Sequence, residues 1–269
     1  MTNLFQALVL GIVQGATEFI PVSSSGHLVL LPWLLSWPNP TLAFDTTLHL
    51  GTLVAVLLHF QRDFRQLIRA WVRSLQTRDP SSPEARLAWF LILGTIPAAV
   101  LGALFESRFE QLFGSPHWVA LLLIVTGTLL ALAEWSGRQS RDAEELDAPS
   151  ALLIGIGQAM AIAPGISRTG ATMSVGLLCG LKREAAARFS FLLATPIILG
   201  AGAKQLLDLM GESNPLRQAP SLMVGFVAAL CTGYFCIRFL LGYLRTGRLY
   251  IFSVYCWAMG VIGLILTRP

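Results

Sequence analysis

Apolar residues come along this chain in long blocks separated by short polar stretches. Six runs, roughly 44–60, 87–105, 118–135, 189–207, 222–242 and 250–267, are long enough, or nearly so, to cross about 30 Å of hydrocarbon as helices. Four further apolar pieces, near 4–19, 26–37, 151–163 and 170–181, are too short to do so. Each pair of these is interrupted by turn-forming residues, Pro21-Val-Ser-Ser-Ser-Gly26 in one and Pro164-Gly-Ile-Ser-Arg-Thr-Gly170 in the other. The pattern predicts two re-entrant helical hairpins. Non-helical backbone at membrane depth is tolerated only where protein buries it or a watery cavity meets it, so both breaks mark a candidate site.

The two breaks copy one another. Gln14, Ser23 and Gly26 recur as Gln158, Ser167 and Gly170, each 144 positions later, and Gly11-Ile12 recurs as Gly155-Ile156 at the same offset. Each hairpin is followed by three candidate spans. The expected organisation is one membrane domain built from an internal repeat. Its first half, 1–140, holds a hairpin of about 4–37 and spans of about 44–60, 87–105 and 118–135. The second, 150–269, holds a hairpin of about 151–181 and spans of about 189–207, 222–242 and 250–267. A polar linker, Ser136 to Pro149, joins them.

Composition strengthens this picture. The 269 residues are 54% hydrophobic and 13% charged, about half the roughly 25% charged content of soluble domains. That excludes an ordinary water-soluble globule. The expected fold class is all-α, a polytopic membrane protein of about six transmembrane helices plus two re-entrant hairpins in two inverted-topology repeats. The N-terminus has no basic region and no small-residue cleavage site, which predicts no removable signal peptide. Cys179, Cys231, Cys236 and Cys256 lie in apolar segments without CxxC spacing, so neither a disulfide framework nor a zinc site is expected.

The net charge of +4 could suggest nucleic acid, but the basic residues fall where membrane orientation explains them. Arg62, Arg65, Arg69, Arg73, Arg78 and Arg86 lie between the first two spans. Arg138 and Arg141 are in the linker, Lys182, Arg183 and Arg188 precede the fourth span, and Arg245 and Arg248 separate the last two. The opposite loops hold Arg108 and Arg217, with Arg268 at the C-terminus. The basic set is expected to face the cytoplasm. Three spans per half is an odd number, so the halves insert in opposite senses and their hairpins enter from opposite faces to meet near the midplane.

The hairpins carry the candidate chemistry. Gln14 and Glu18, at i and i+4, share a helix face, and a carboxylate in lipid is functional by default or tightly paired. Ser23, Ser24, Ser25, Gly26 and His27 open a second short helix, whose serines can cap it and whose amides suit an anion. Alone this would be a helix cap. His27, a potential proton carrier within reach of the hydroxyls, and Glu18 nearby point instead to an activated hydroxyl. In the second turn Ser167, Arg168 and Thr169 precede another short helix; the planar fork of an arginine matches phosphate oxygens. A purely structural pair between Arg168 and Glu18 is the rival. Together these groups describe a site for a phosphorylated lipid.

Two motifs, Gln14-Gly-Ala-Thr-Glu18-Phe-Ile-Pro-Val-Ser-Ser-Ser-Gly-His27 and Pro164-Gly-Ile-Ser-Arg-Thr-Gly-Ala-Thr172, resemble those of the bacterial undecaprenyl pyrophosphate phosphatases, over nearly the whole chain. The resemblance implicates Glu18, Ser24, His27, Ser167, Arg168 and Thr172, with Gln14 in the variable first acidic position. It implies removal of the terminal phosphate from undecaprenyl pyrophosphate at the outer face of the inner membrane, with a divalent cation. Gln14 leaves one carboxylate where many members have two, which weakens a dedicated metal cage, and Thr169 replaces a usual serine while keeping its hydroxyl.

The roles expected from this are specific. Arg168 with Gly165, Ser167, Thr169, Gly170 and Thr172 holds the pyrophosphate, aided by Ser23, Ser25, Gly26 and Gln14. Glu18 holds Mg2+ or Ca2+ together with pyrophosphate oxygens. Ser24 is the candidate nucleophile and His27 its proton carrier; direct attack by His27 or by a metal-bound water stays open. Asp45 and His49, again i and i+4, either extend the site or pair in the core, and pairing is expected. The tryptophans, among them Trp71, Trp118 and Trp135, fit interface anchors.

The partners expected are a polyprenyl pyrophosphate lipid and the membrane, with no nucleic acid; a homodimer is allowed. A polyprenyl-phosphate flippase or secondary transporter with the same inverted repeats is the alternative. An acid-phosphatase type lipid phosphatase, suggested by Ser25-Gly26-His27, needs a histidine beyond its Ser-Arg motif, and the last histidine here is His117.

Overall fold

The structure, a computed structural model, describes residues 3–210 and 219–267, without the side chains of 106–113 and 205–210. Arg217, Arg268 and the Arg108 side chain, used in the orientation argument, lie outside the described residues. Among the described residues the helices are α1 (Leu4–Phe19), α2 (Ser24–Leu34), α3 (Leu42–His59), α4 (Gln61–Thr77), α5 (Pro83–Phe113), α6 (Pro116–Ser136), α7 (Ala148–Met160), α8 (Arg168–Leu178), α9 (Arg183–Met210), α10 (Ala219–Leu244) and α11 (Tyr250–Leu266). No strand accompanies them there; a single isolated bridge joins Arg141 and Leu181.

Five helices, α3, α5, α6, α9 and α10, are long and apolar enough to cross a membrane. The sixth expected span, α11, sits where the pattern put it but has 17 residues, about 26 Å at 1.5 Å per residue. The expected hairpins correspond to α1 with α2 and α7 with α8. Asp147 caps α7 by accepting the Ser150 N–H at 2.9 Å, so that helix begins three residues ahead of the expected boundary at 151. Hydrogen bonds from Ser150 and Arg141 hold the Asp147 carboxyl down at about 2.

Helix α4 is the element the block pattern passed over. Its four arginines, Arg62, Arg65, Arg69 and Arg73, are exposed, whereas Leu67 and Ser74 are buried. Phe64, Leu67 and Trp71 recur at helical spacing, but the arginines between them lower the local hydropathy below that of a span.

Packing crosses between the halves. Helix α1 lies along α10, α3 packs on α10 and α9, α7 lies along α5, and α6 lies against α11. Small residues permit the closest approaches, as in membrane helix pairs generally. A Cβ on Gly11 would stand 2.5 Å from the Gly225 carbonyl oxygen, and one on Gly155, its counterpart in the repeat, 2.3 Å from that of Gly94. The repeated glycine thus serves the same purpose twice, seating each hairpin against a helix of the other half. At one end of the bundle Glu134, buried at the end of α6, receives the Arg183 guanidinium and the Leu249 N–H, tying α6, α9 and the start of α11 together.

Candidate active site

Both hairpin turns follow from their prolines and glycines. Helix α1 ends at Phe19 because Ile20 precedes Pro21 and is held extended (φ −63°, ψ 129°), as a residue before proline prefers. Ser23 then adopts φ 69° and caps α2 by accepting the Gly26 N–H at 3.2 Å. In the second turn the left-handed residue is Gly165, at φ 99°, where a Cβ would also meet the Val119 carbonyl oxygen at 2.5 Å. Ser167 there caps α8 by accepting the Gly170 N–H at 3.0 Å. A non-glycine residue held left-handed stores of order 1–3 kcal/mol, so Ser23 marks the first turn as the strained one.

The two turns meet across a cavity of about 300 Å³. Its polar wall comes from Glu18, Ser23, Ser24, Ser25, Gln158, Ser167 and Arg168, joined by Asp45, Thr46 and His49 of α3; its apolar wall comes from Ala98 of α5, Ile162, and Ile197, Ile198 and Ala201 of α9. Pro97 and Pro196 lie inside α5 and α9 beside that wall, where each removes a backbone hydrogen bond.

Glu18 is the hub. One carboxylate oxygen receives the Arg168 guanidinium. The other accepts the Ser24 hydroxyl at 2.6 Å and the Gln14 amide at 3.0 Å. The Glu18 side chain is 5% exposed and that of Arg168 18%, so the arginine is the partner open to the cavity. Ser24 and Arg168 occupy equivalent positions in the two halves, and both reach the same acid.

Residues 7–262 match the family of the Bacitracin resistance protein BacA. The chain belongs to the BacA family. It is 46% identical over 265 residues to an undecaprenyl-diphosphatase of Rubrobacter xylanophilus, covering 97% of each chain. It is 44% identical over 254 residues to one of Moorella thermoacetica, 94% of each, and 44% over 273 residues to one of Thermomicrobium roseum, 98% of each.

Within this BacA-family chain the residues singled out from sequence separate into two groups. Glu18, Ser23, Ser24, Ser25, Ser167 and Arg168 line the cavity. Others stand behind it. The Thr169 hydroxyl donates to the Glu18 backbone carbonyl at 2.8 Å, and Thr172 bonds the Arg168 carbonyl at 2.8 Å and Ser190 at 2.6 Å. Gly26, Gly165 and Gly170 shape the turns, and Gln14 braces Glu18 from within α1.

His27 is not brought to the serine hydroxyls as expected. Its Nδ1 lies 2.7 Å from the Ser23 carbonyl oxygen; a carbonyl only accepts, so Nδ1 carries the proton and Nε2 accepts from the Tyr255 hydroxyl, also at 2.7 Å. The two rings stack at 5.7 Å. His27 therefore pins the turn that presents Ser24, and Glu18, not His27, touches the Ser24 hydroxyl.

Asp45 and His49 do pair, His49 Nδ1 lying 3.6 Å from Asp45 Oδ2, but they also face the cavity, with His49 Nε2 3.6 Å from Glu18 Oε2. Their i, i+4 spacing was visible in the sequence; the direction of their shared face was not. Tyr255 carried no sequence signal at all, being one aromatic among many in an apolar run.

Proposed function

We propose that this protein hydrolyses undecaprenyl diphosphate to the monophosphate and inorganic phosphate. The observation that carries the reading is the convergence of Ser24 and Arg168 on Glu18 in a cavity with one polar and one apolar wall, which suits a charged diphosphate on an isoprenoid tail. The BacA-family match and the relatives named undecaprenyl-diphosphatase support it. No observation favours the flippase or transporter alternative.

In the mechanism we infer, Arg168 divides its donors between Glu18 and the diphosphate, since a guanidinium has five N–H groups in a fixed fork. Glu18 takes the proton of the Ser24 hydroxyl as Oγ attacks the terminal phosphorus; the bond from that phosphorus to the bridging oxygen breaks, and undecaprenyl phosphate leaves. Water then hydrolyses the phosphoserine. Phosphoryl transfer depends chiefly on such positioning and charge neutralisation. The apolar wall of α5 and α9 holds the first isoprene units and keeps bulk water from the arginine.

A divalent cation fits this donor set in a limited way. Among the described residues no group of three or more His, Cys, Asp or Glu side chains could hold a metal alone. Glu18 and Asp45 offer hard oxygen ligands to the cavity, so Mg2+ or Ca2+ would be shared with diphosphate oxygens, as hard cations commonly are. When bound it would neutralise charge on those oxygens. The test is inorganic phosphate release by the purified protein from a long-chain polyprenyl diphosphate: turnover is expected, with loss in excess chelator and recovery on adding Mg2+ or Ca2+. An inactive protein at saturating cation would overturn the proposal.

Inverted halves, a multi-pass placement in the bacterial inner membrane and a site open to its outer side complete the reading, supported by the thirteen lysines and arginines in alternate segments between the spans, four of them on α4. Single cysteines at Arg73 and at Gly247 are expected to resist a membrane-impermeant thiol reagent in intact cells, while one at Ser115 is labelled, all in a background lacking the native cysteines. Equal labelling of positions 73 and 115 would end the inverted-topology argument.

A further inference from the structure

One polar side chain of the cavity wall, given no role above, stands apart for being both buried and unpaired. Gln158, on α7, is 2% exposed and lines the cavity, and neither its amide nitrogen nor its amide oxygen has a hydrogen-bond partner. A buried amide left unpaired is costly, and such a group calls for a partner, which for a side chain in a cavity wall a ligand can supply. The other half of the repeat shows what the unpaired amide lacks. Gln14, the counterpart of Gln158 in the repeat, donates to Glu18 four residues on, at 3.0 Å. Four residues after Gln158 the chain has Ile162, which offers nothing to bond. The second half has kept the amide and dropped its acid.

The structure assigns Gln158, we infer, to substrate binding: its amide N–H donates to a non-bridging oxygen of the diphosphate, beside Arg168. The inference rests on the phosphatase reading of the same cavity. An amide suits this position better than a second cation would. It adds a donor to an anion without placing another positive charge next to Arg168, and it leaves Glu18 as the cavity carboxylate that engages the arginine. A neighbouring acid like Glu18, were it present at position 162, would occupy the amide and repel the substrate.

The inference makes stability and activity move in opposite directions. Gln158→Leu removes the unpaired polar group while nearly keeping its volume, so the protein without substrate should melt higher than the parent. The same change should raise KM for a polyprenyl diphosphate by roughly 10- to 100-fold, as expected for loss of one well-placed hydrogen bond to a charged group, with kcat less affected. Inorganic pyrophosphate should raise the melting temperature of the parent more than that of Gln158→Leu. Gln158→Glu, which puts a negative charge against the diphosphate, should raise KM further still.

The measurements are phosphate release and tryptophan-monitored melting of the purified full chain, parent and variants side by side. A Gln158→Leu protein that melts below the parent, or one that keeps the parental KM and kcat, would overturn the assignment. Failure of the parent itself to release phosphate would instead remove the phosphatase reading, so the two failures are distinguishable.

Discussion

Replacing Arg168 with lysine is expected to leave the protein folded, with a melting temperature close to the parent's, and to lower phosphate release by about two to three decades. Lysine keeps the positive charge beside Glu18, and the cavity gives an ammonium room to approach that carboxylate. The geometry is what it loses. The guanidinium donates to Glu18 through one terminal nitrogen, and its planar fork carries further N–H donors for phosphate oxygens; an ammonium is a point charge that cannot span both partners. Removing one preorganised donor to developing charge costs about 2.7–4 kcal/mol in the transition state, which gives the stated loss in rate. Near-normal turnover of purified Arg168→Lys would show that Arg168 only neutralises Glu18 and does not hold the substrate.

That experiment turns on a residue whose importance was legible in the sequence, because it depends on local chemistry and on a repeat. Proline and glycine placed both turns, the common offset of 144 paired them, and an arginine or a glutamate between apolar runs is conspicuous for the cost of placing it in lipid. The helices were legible for a similar reason, since a span must be apolar throughout its length. What stayed hidden depends on direction in three dimensions. Spacing showed that Asp45 and His49 share a face but not that α3 turns it toward Glu18. His27 was near enough to the serines along the chain to suggest a relay, yet rotation about the turn gives it to Ser23 and Tyr255, 228 residues away. Gln158 looked equivalent to Gln14, and only the packed structure shows the amide nitrogen of Gln14 partnered and that of Gln158 not. Helix α4 is hidden in the block pattern because its arginines mask an apolar stripe, which packs on the neighbouring α5, Trp71 meeting Trp89.

Changing Glu18 to glutamine should have the largest effect of all, because one carboxylate serves three partners. Glutamine is nearly isosteric, so the packing of α1 against α10 is retained while the negative charge is lost. Two consequences are expected. Arg168 loses its counter-ion; breaking a buried pair costs about 3–5 kcal/mol, and because the arginine is 18% exposed toward the cavity the loss should fall toward the lower end, seen as a fall in melting temperature. Separately, the Ser24 hydroxyl, now 2.6 Å from a carboxylate oxygen, loses the group that takes its proton, and a positioned general base contributes roughly two to four decades in rate. The double change Glu18→Gln with Arg168→Met separates the two effects. Methionine removes the stranded cation, so the melting temperature should recover toward the parent's, whereas phosphate release should stay at the level of the single variant or below it. Activity returning together with stability would mean that Glu18 and Arg168 serve only each other, and the chemistry would then have to be sought at Asp45 and His49.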